Sequence, residues 1–164
     1  MINDELKRLM NNNVNNYKID QVFLTRFEVQ CNGNSKGVLN RVKDVLEIVL
    51  QQDVKRWLTV EEWKCTLPKW FIESCADEIT QEEAEQRLTL SLEERIKISK
   101  NEGWALSSWI YWLNPNEKQW YWWESNIIDE NILIVTVQSE DYPFAWGALE
   151  WLLLASGAIK VEEL

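Results

Sequence analysis

Five indoles stand in one short stretch, WIYWLNPNEKQWYWWES, as Trp109, Trp112, Trp120, Trp122 and Trp123, with the carboxylates Glu117 and Glu124 among them. Indole faces attract cations and a neighbouring carboxylate adds to that attraction, so a groove built this way would hold an organic cation or stack a sugar ring. Glu150, in the apolar stretch PFAWGALEWLLLASGAI, supplies a third carboxylate. Lining one aromatic cleft, Glu124 and Glu150 would form the pair that sugar hydrolysis uses. Trp146 and Leu153 of the same stretch fit another use, a surface that meets a protein partner or a second copy of the chain. All of these side chains equally suit a plain core, with indole inside and glutamate in water.

What the chain lacks narrows the chemistry. It has no histidine, the commonest general base and metal ligand, which leaves Asp, Glu, Cys, Lys or Tyr for any catalysis. It has no phosphate loop, no GxGxxG and no GxSxG. Between Glu73 and Glu85 lie six carboxylates and no cation, but the Asp-x-Asp spacing and glycine of a calcium loop are missing, so the run reads as a solvated face. No metal and no cofactor are expected, and a non-catalytic role is favoured over an enzymatic one.

Charge and cysteine usage narrow the partners and the compartment. The net charge is -10, and residues 101 to 164 hold ten acidic side chains against Lys118 and Lys160 alone, so this half cannot neutralise phosphates and nucleic acid is excluded as its partner. A basic protein or cationic ligand fits the charge, as does solubility by itself. Cys31, Cys65 and Cys75 are odd in number and form no CxxC pair, which suits free thiols in a reducing cytoplasm. MINDELKRLM is charged where a signal peptide has its apolar core, so a cytoplasmic location is expected. The longest apolar stretch is interrupted by Glu150 and is shorter than the roughly 20 residues of a bilayer span, so no membrane segment is expected.

Elements must position these residues. Residues 1 to 17 read as a flexible arm, with a short helix at 2 to 10 before the turn-rich NNNVNN, and residues 18 to 164 as a single domain. VFLTRFEVQC alternates Phe23, Phe27, Val29 and Cys31 against Arg26, Glu28 and Gln30, the pattern of a strand with one wet face. Ser35 caps a helix over 36 to 52 whose Val38, Leu39, Val42, Val45, Leu46 and Val49 fall at helical spacing. Short helices follow, signalled by capping boxes at Thr59/Glu62, Thr80/Glu83 and Ser91/Glu94 and by Pro68. From Trp104, ALSSWIYWL, QWYWWESNII and ILIVTV read as a three-stranded antiparallel meander, with Leu113 opposite Lys118 across the first turn. A last helix runs from Pro143 to a stop at Gly157, and AIKVEEL adds an edge strand.

No register of the hairpin frees either face of aromatics, and Ile132 and Ile134 oppose Leu133, Val135 and Val137, so both sheet faces are expected to need cover. The fold class is α+β: a tryptophan-rich meander plus an N-terminal strand, covered by helices. Most of the eleven tryptophans then belong to the core, and two to four line a groove or interface. The stretches LPKWF, WIYWLNPNEKQWYWW and DYPFAWGALEWLLLASGA resemble conserved hypothetical proteins of cyanobacterial type, over residues 67 to 157 at most. That resemblance implies no activity. In size, acidity and tryptophan content the chain is also similar to bacterial toxin-immunity proteins, an analogy of general character.

Overall fold

The alternation in FLTRFEVQ produces β1 (Phe23–Gln30) in the computed structural model, which describes residues 2–10 and 23–164. Thr25, Phe27 and Val29 are buried and Arg26 is in solvent; Phe23, at the rim, is half exposed against the ring of Tyr142. β1 pairs on one side with β3 (Ile132–Ser139) and on the other with β4 (Lys160–Glu163), while β2 (Tyr121–Ile127) lies outside β3. The sheet is antiparallel throughout, in the order β2-β3-β1-β4. The expected edge strand is therefore β4, whose charged residues make it a poor template for a further strand.

Eight helices are found among the described residues: α1 (Ile2–Met10), α2 (Ser35–Leu50), α3 (Val60–Thr66), α4 (Lys69–Ser74), α5 (Gln81–Leu88), α6 (Leu92–Glu102), α7 (Leu106–Leu113) and α8 (Gly147–Ala155). The chain is a single compact α+β domain. The valine stripe of α2 and Ala148, Leu149, Leu152 and Leu153 of α8 share one core with Phe27, Val29, Leu133, Val135 and Val137 of the sheet. On the opposite face Arg26, Asn126, Lys160 and Glu162 are exposed and Glu28, Glu124 and Gln138 half-buried, although Ile134 and Thr136 at its centre are buried. The expectation that both faces are covered thus holds for the middle of β3 and fails for its neighbours.

Two sequence expectations are corrected. ALSSWIYWL is not a strand but α7, since Leu106, Trp109, Ile110 and Leu113, spaced at i, i+3, i+4 and i+7, are its buried residues. The meander loses its first strand, and Leu113 does not pair with Lys118 in a ladder. The second correction concerns the arm: the helix at 2 to 10 forms, but it is docked, with Leu9 in the core and Glu5 buried against β2. The proposed boundary between residues 17 and 18 lies outside the described residues.

Local caps follow the sequence closely. The Thr59/Glu62 box closes in both directions, as do the backbone-to-side-chain bonds of Ser91 and Glu94, and Thr80 accepts from the Glu83 N–H. α2 is capped by Asn34 rather than Ser35; the Ser35 hydroxyl instead donates to the Asp129 carbonyl, tying the helix start to the β2–β3 turn. Gly157, at φ +114, stops α8 as expected, while Pro143 precedes the helix. In β2 a bulge between Trp122 and Glu124 breaks the alternation, which is how two consecutive tryptophans come to be buried.

Candidate functional site

The tryptophans divide sharply by environment. Trp63, Trp109, Trp120, Trp122 and Trp123 are buried, and Trp57, Trp70, Trp104, Trp112, Trp146 and Trp151 are half-buried. Four of the five indoles in the opening stretch are therefore core rather than groove. Trp109 sits edge-on to Phe71 at 4.6 Å between centroids and donates its N–H to the Ala148 carbonyl at 3.0 Å, joining α4, α7 and α8. Trp123 lies beneath the Arg8 guanidinium of α1 at 3.6 Å, a cation already supplied by the chain itself. Trp146 packs on Phe27 with centroids 4.7 Å apart and stays half-buried, whereas Leu153 is completely buried and offers no surface to a partner. Glu124 aligns with Thr136 on the sheet face opposite α8, and the sheet therefore separates it from Glu150. The carboxylate pair for sugar hydrolysis is not formed.

What the structure assembles instead lies between α6 and α8. A groove of about 450 Å³ is walled by Leu92, Arg95 and Ile96 of α6, by Gly103 and Trp104, and by Glu150, Trp151 and Leu154 of α8. The apolar side chains of its rim stand in solvent: Leu92 is 65% exposed, Ile96 47% and Leu154 37%. Arg95 Nε and Trp151 Nε1 are enclosed in its wall, the Trp151 indole beside the Cys75 thiol. Of the residues singled out in the sequence, Glu150 lies in this groove and Trp112 in the next cleft.

Two glycines let the indoles approach. A Cβ at Gly103 would come within 2.6 Å of the Trp151 ring, and a Cβ at Gly147 within 2.9 Å of Trp104. Gly103 is also at φ +75, where other residues are strained. Gly103→Ala should therefore lower stability by about 1–3 kcal/mol and displace Trp151, read as a lower urea midpoint and a shifted tryptophan emission. An unchanged midpoint would mean that the groove floor is looser than this packing.

At Gly103 and Trp104 the groove meets a cleft of about 260 Å³, which in turn shares Ala76, Asp77, Glu78, Ile79, Arg87 and Glu102 with an acidic cleft of about 610 Å³. The 76–79 segment is held in place by Ala76, whose N–H donates to the Trp104 carbonyl at 2.9 Å. Glu78 caps α7, its carboxylate accepting from the Ser107 N–H at 2.9 Å and from the Ser107 hydroxyl. Arg87 Nη2 meets Glu102 Oε2 at 2.8 Å between α5 and α6. Burial pushes the Cys75 thiol up to about 11, opposed by interaction with the Trp151 indole and reinforced by the charge on Glu78, so at neutral pH it is a protonated and poor nucleophile.

Compared with known proteins, the chain matches no family model, no curated protein and no solved structure. The functional reading accordingly rests on the site. Among the described residues no group of His, Cys, Asp and Glu is placed to hold a metal ion, and no helix is long and apolar enough to cross a membrane.

Sequence reasoning missed Leu92, Ile96, Trp104, Trp151 and Leu154, yet two signals mark all of them but Trp104. Leu92 and Ile96 fall four apart in the otherwise charged start of α6, and Gly147, Glu150, Trp151 and Leu154 fall at i, i+3, i+4 and i+7 on one face of α8.

Proposed function

We propose that the protein is a non-catalytic, cytoplasmic interaction domain whose groove between α6 and α8 receives apolar side chains of a protein partner. The observation that carries this reading is the exposed rim of Leu92, Ile96 and Leu154 around the indoles of Trp104 and Trp151. Clustered apolar side chains in water favour association, and central aromatic residues ringed by aliphatic ones are the anatomy of a binding hot spot. The cytoplasmic part is supported by Cys31, Cys65 and Cys75, all free thiols.

The test compares the tagged wild type with Ile96→Ser and Leu154→Ser in quantitative affinity purification from the protein's own cells. Both replaced side chains are exposed, so each variant should keep its unfolding free energy in urea to within about 0.5 kcal/mol and lose a stoichiometric partner. Equal recovery of that partner by all three proteins would overturn the reading.

A small organic ligand is the second reading, favoured by a groove volume within the range of small-molecule sites. It requires a saturable change in tryptophan emission that Trp151→Phe abolishes.

A further inference from the structure

From the trough as a whole we infer the chemistry of the partner: a basic amphipathic segment that seats apolar side chains between α6 and α8 and lays Lys or Arg residues along the acidic cleft. The inference rests on the interaction-domain reading and goes beyond it by fixing charge and polarity. The groove meets the 260 Å³ cleft at Gly103 and Trp104, and that cleft shares the 76–79 segment, Arg87 and Glu102 with the acidic one, so one segment can run from the groove to the acidic end. The apolar end offers Leu92, Ile96 and Leu154; the acidic end offers Asp77, Glu78, Glu83 and Glu102, with Arg87 the one cation among the described residues that line it. That cation shows how the partner's would sit. The Arg87 guanidinium reaches across from α5 to Glu102 at 2.8 Å, and both side chains remain part-exposed, within reach of a competing Lys or Arg. Arg87 thus occupies, in the free protein, a position the partner's cation takes in the complex.

The probe is a synthetic amphipathic helix of Leu and Lys, titrated against the full chain by fluorescence anisotropy. Its controls are a peptide of the same composition with the leucines scattered and a Leu/Glu peptide of the same pattern. The Leu/Lys peptide should bind saturably, at least about tenfold more tightly than either control, and Ile96→Ser or Leu154→Ser should weaken it by about tenfold. Arg87→Gln should tighten it about threefold or more, and Lys160→Gln, the same charge change on β4, should do less. Binding by the scattered peptide as tight as by the patterned one, or insensitivity to the groove variants, would overturn the inference. So would equal tightening by Arg87→Gln and Lys160→Gln. Groove-dependent binding of the Leu/Glu peptide would sink the charge assignment while leaving the interaction-domain reading intact; that reading fails separately, on recovery of the cellular partner by the groove variants.

Discussion

Lys118→Met should destabilise the fold by about 3–5 kcal/mol, the usual consequence of stranding one member of a buried ion pair. Lys118 Nζ lies 2.6 Å from Glu5 Oε1, and both side chains are 3% exposed. The same Glu5 oxygen accepts from the Trp122 N–H at 2.8 Å, so a carboxylate of α1 satisfies a backbone donor of β2, an outer strand of the sheet. With lysine gone, that carboxylate keeps, among the described residues, the neutral Trp122 N–H and no counter-charge. Glu5→Gln keeps an acceptor for Trp122, and the double variant Glu5→Gln/Lys118→Met should regain much of the loss. Urea unfolding of the four proteins completes the cycle. A loss under about 1 kcal/mol in Lys118→Met would show that α1 does not hold this docked position in solution.

Trp109→Ala should cost a comparable amount, about 3–5 kcal/mol, because it removes a fully buried indole from the junction of three helices. Its effect should reach the trough. α7 carries the Ser107 that Glu78 caps, and α8 carries the Trp151 wall, so slackening their joint at Ala148 loosens both sides. Trp109→Phe keeps much of the volume but gives up the donor to the Ala148 carbonyl, and should cost about 1–3 kcal/mol. Urea midpoints of the two variants check the order. Stability unchanged in Trp109→Ala would return this indole to the surface role that its sequence neighbourhood suggested.

The strands and long helices were readable because their signals are local. Alternation marked β1, an apolar β-branched run after a turn marked β3, the valine stripe marked α2, and hydroxyl–carboxyl pairs marked the starts of α3, α5 and α6. α7 was lost for a physical reason: Trp, Ile and Tyr favour strands by propensity, and the spacing that contradicts them covers eight residues only. Its cap was also out of sight, since Ala105 offers no side chain and the capping carboxylate comes from Glu78, 29 residues earlier. The docking of α1 depended likewise on a pair, Glu5 and Lys118, separated by 113 residues. For the candidate site, four of the five indoles in the densest stretch are buried. Density of tryptophan reflects how much area must be buried, whereas a binding surface shows in apolar residues left exposed, and exposure at Leu92, Ile96 and Leu154 is decided by packing between distant helices.

The most direct test of the proposed partner groove places a photo-crosslinking residue at Leu154 in one protein and at Asn126, exposed on the far face of the sheet, in another. Irradiated in the protein's own cells, the first should yield a discrete crosslinked partner that the second does not. A partner captured from position 126 and absent from position 154 would contradict the account.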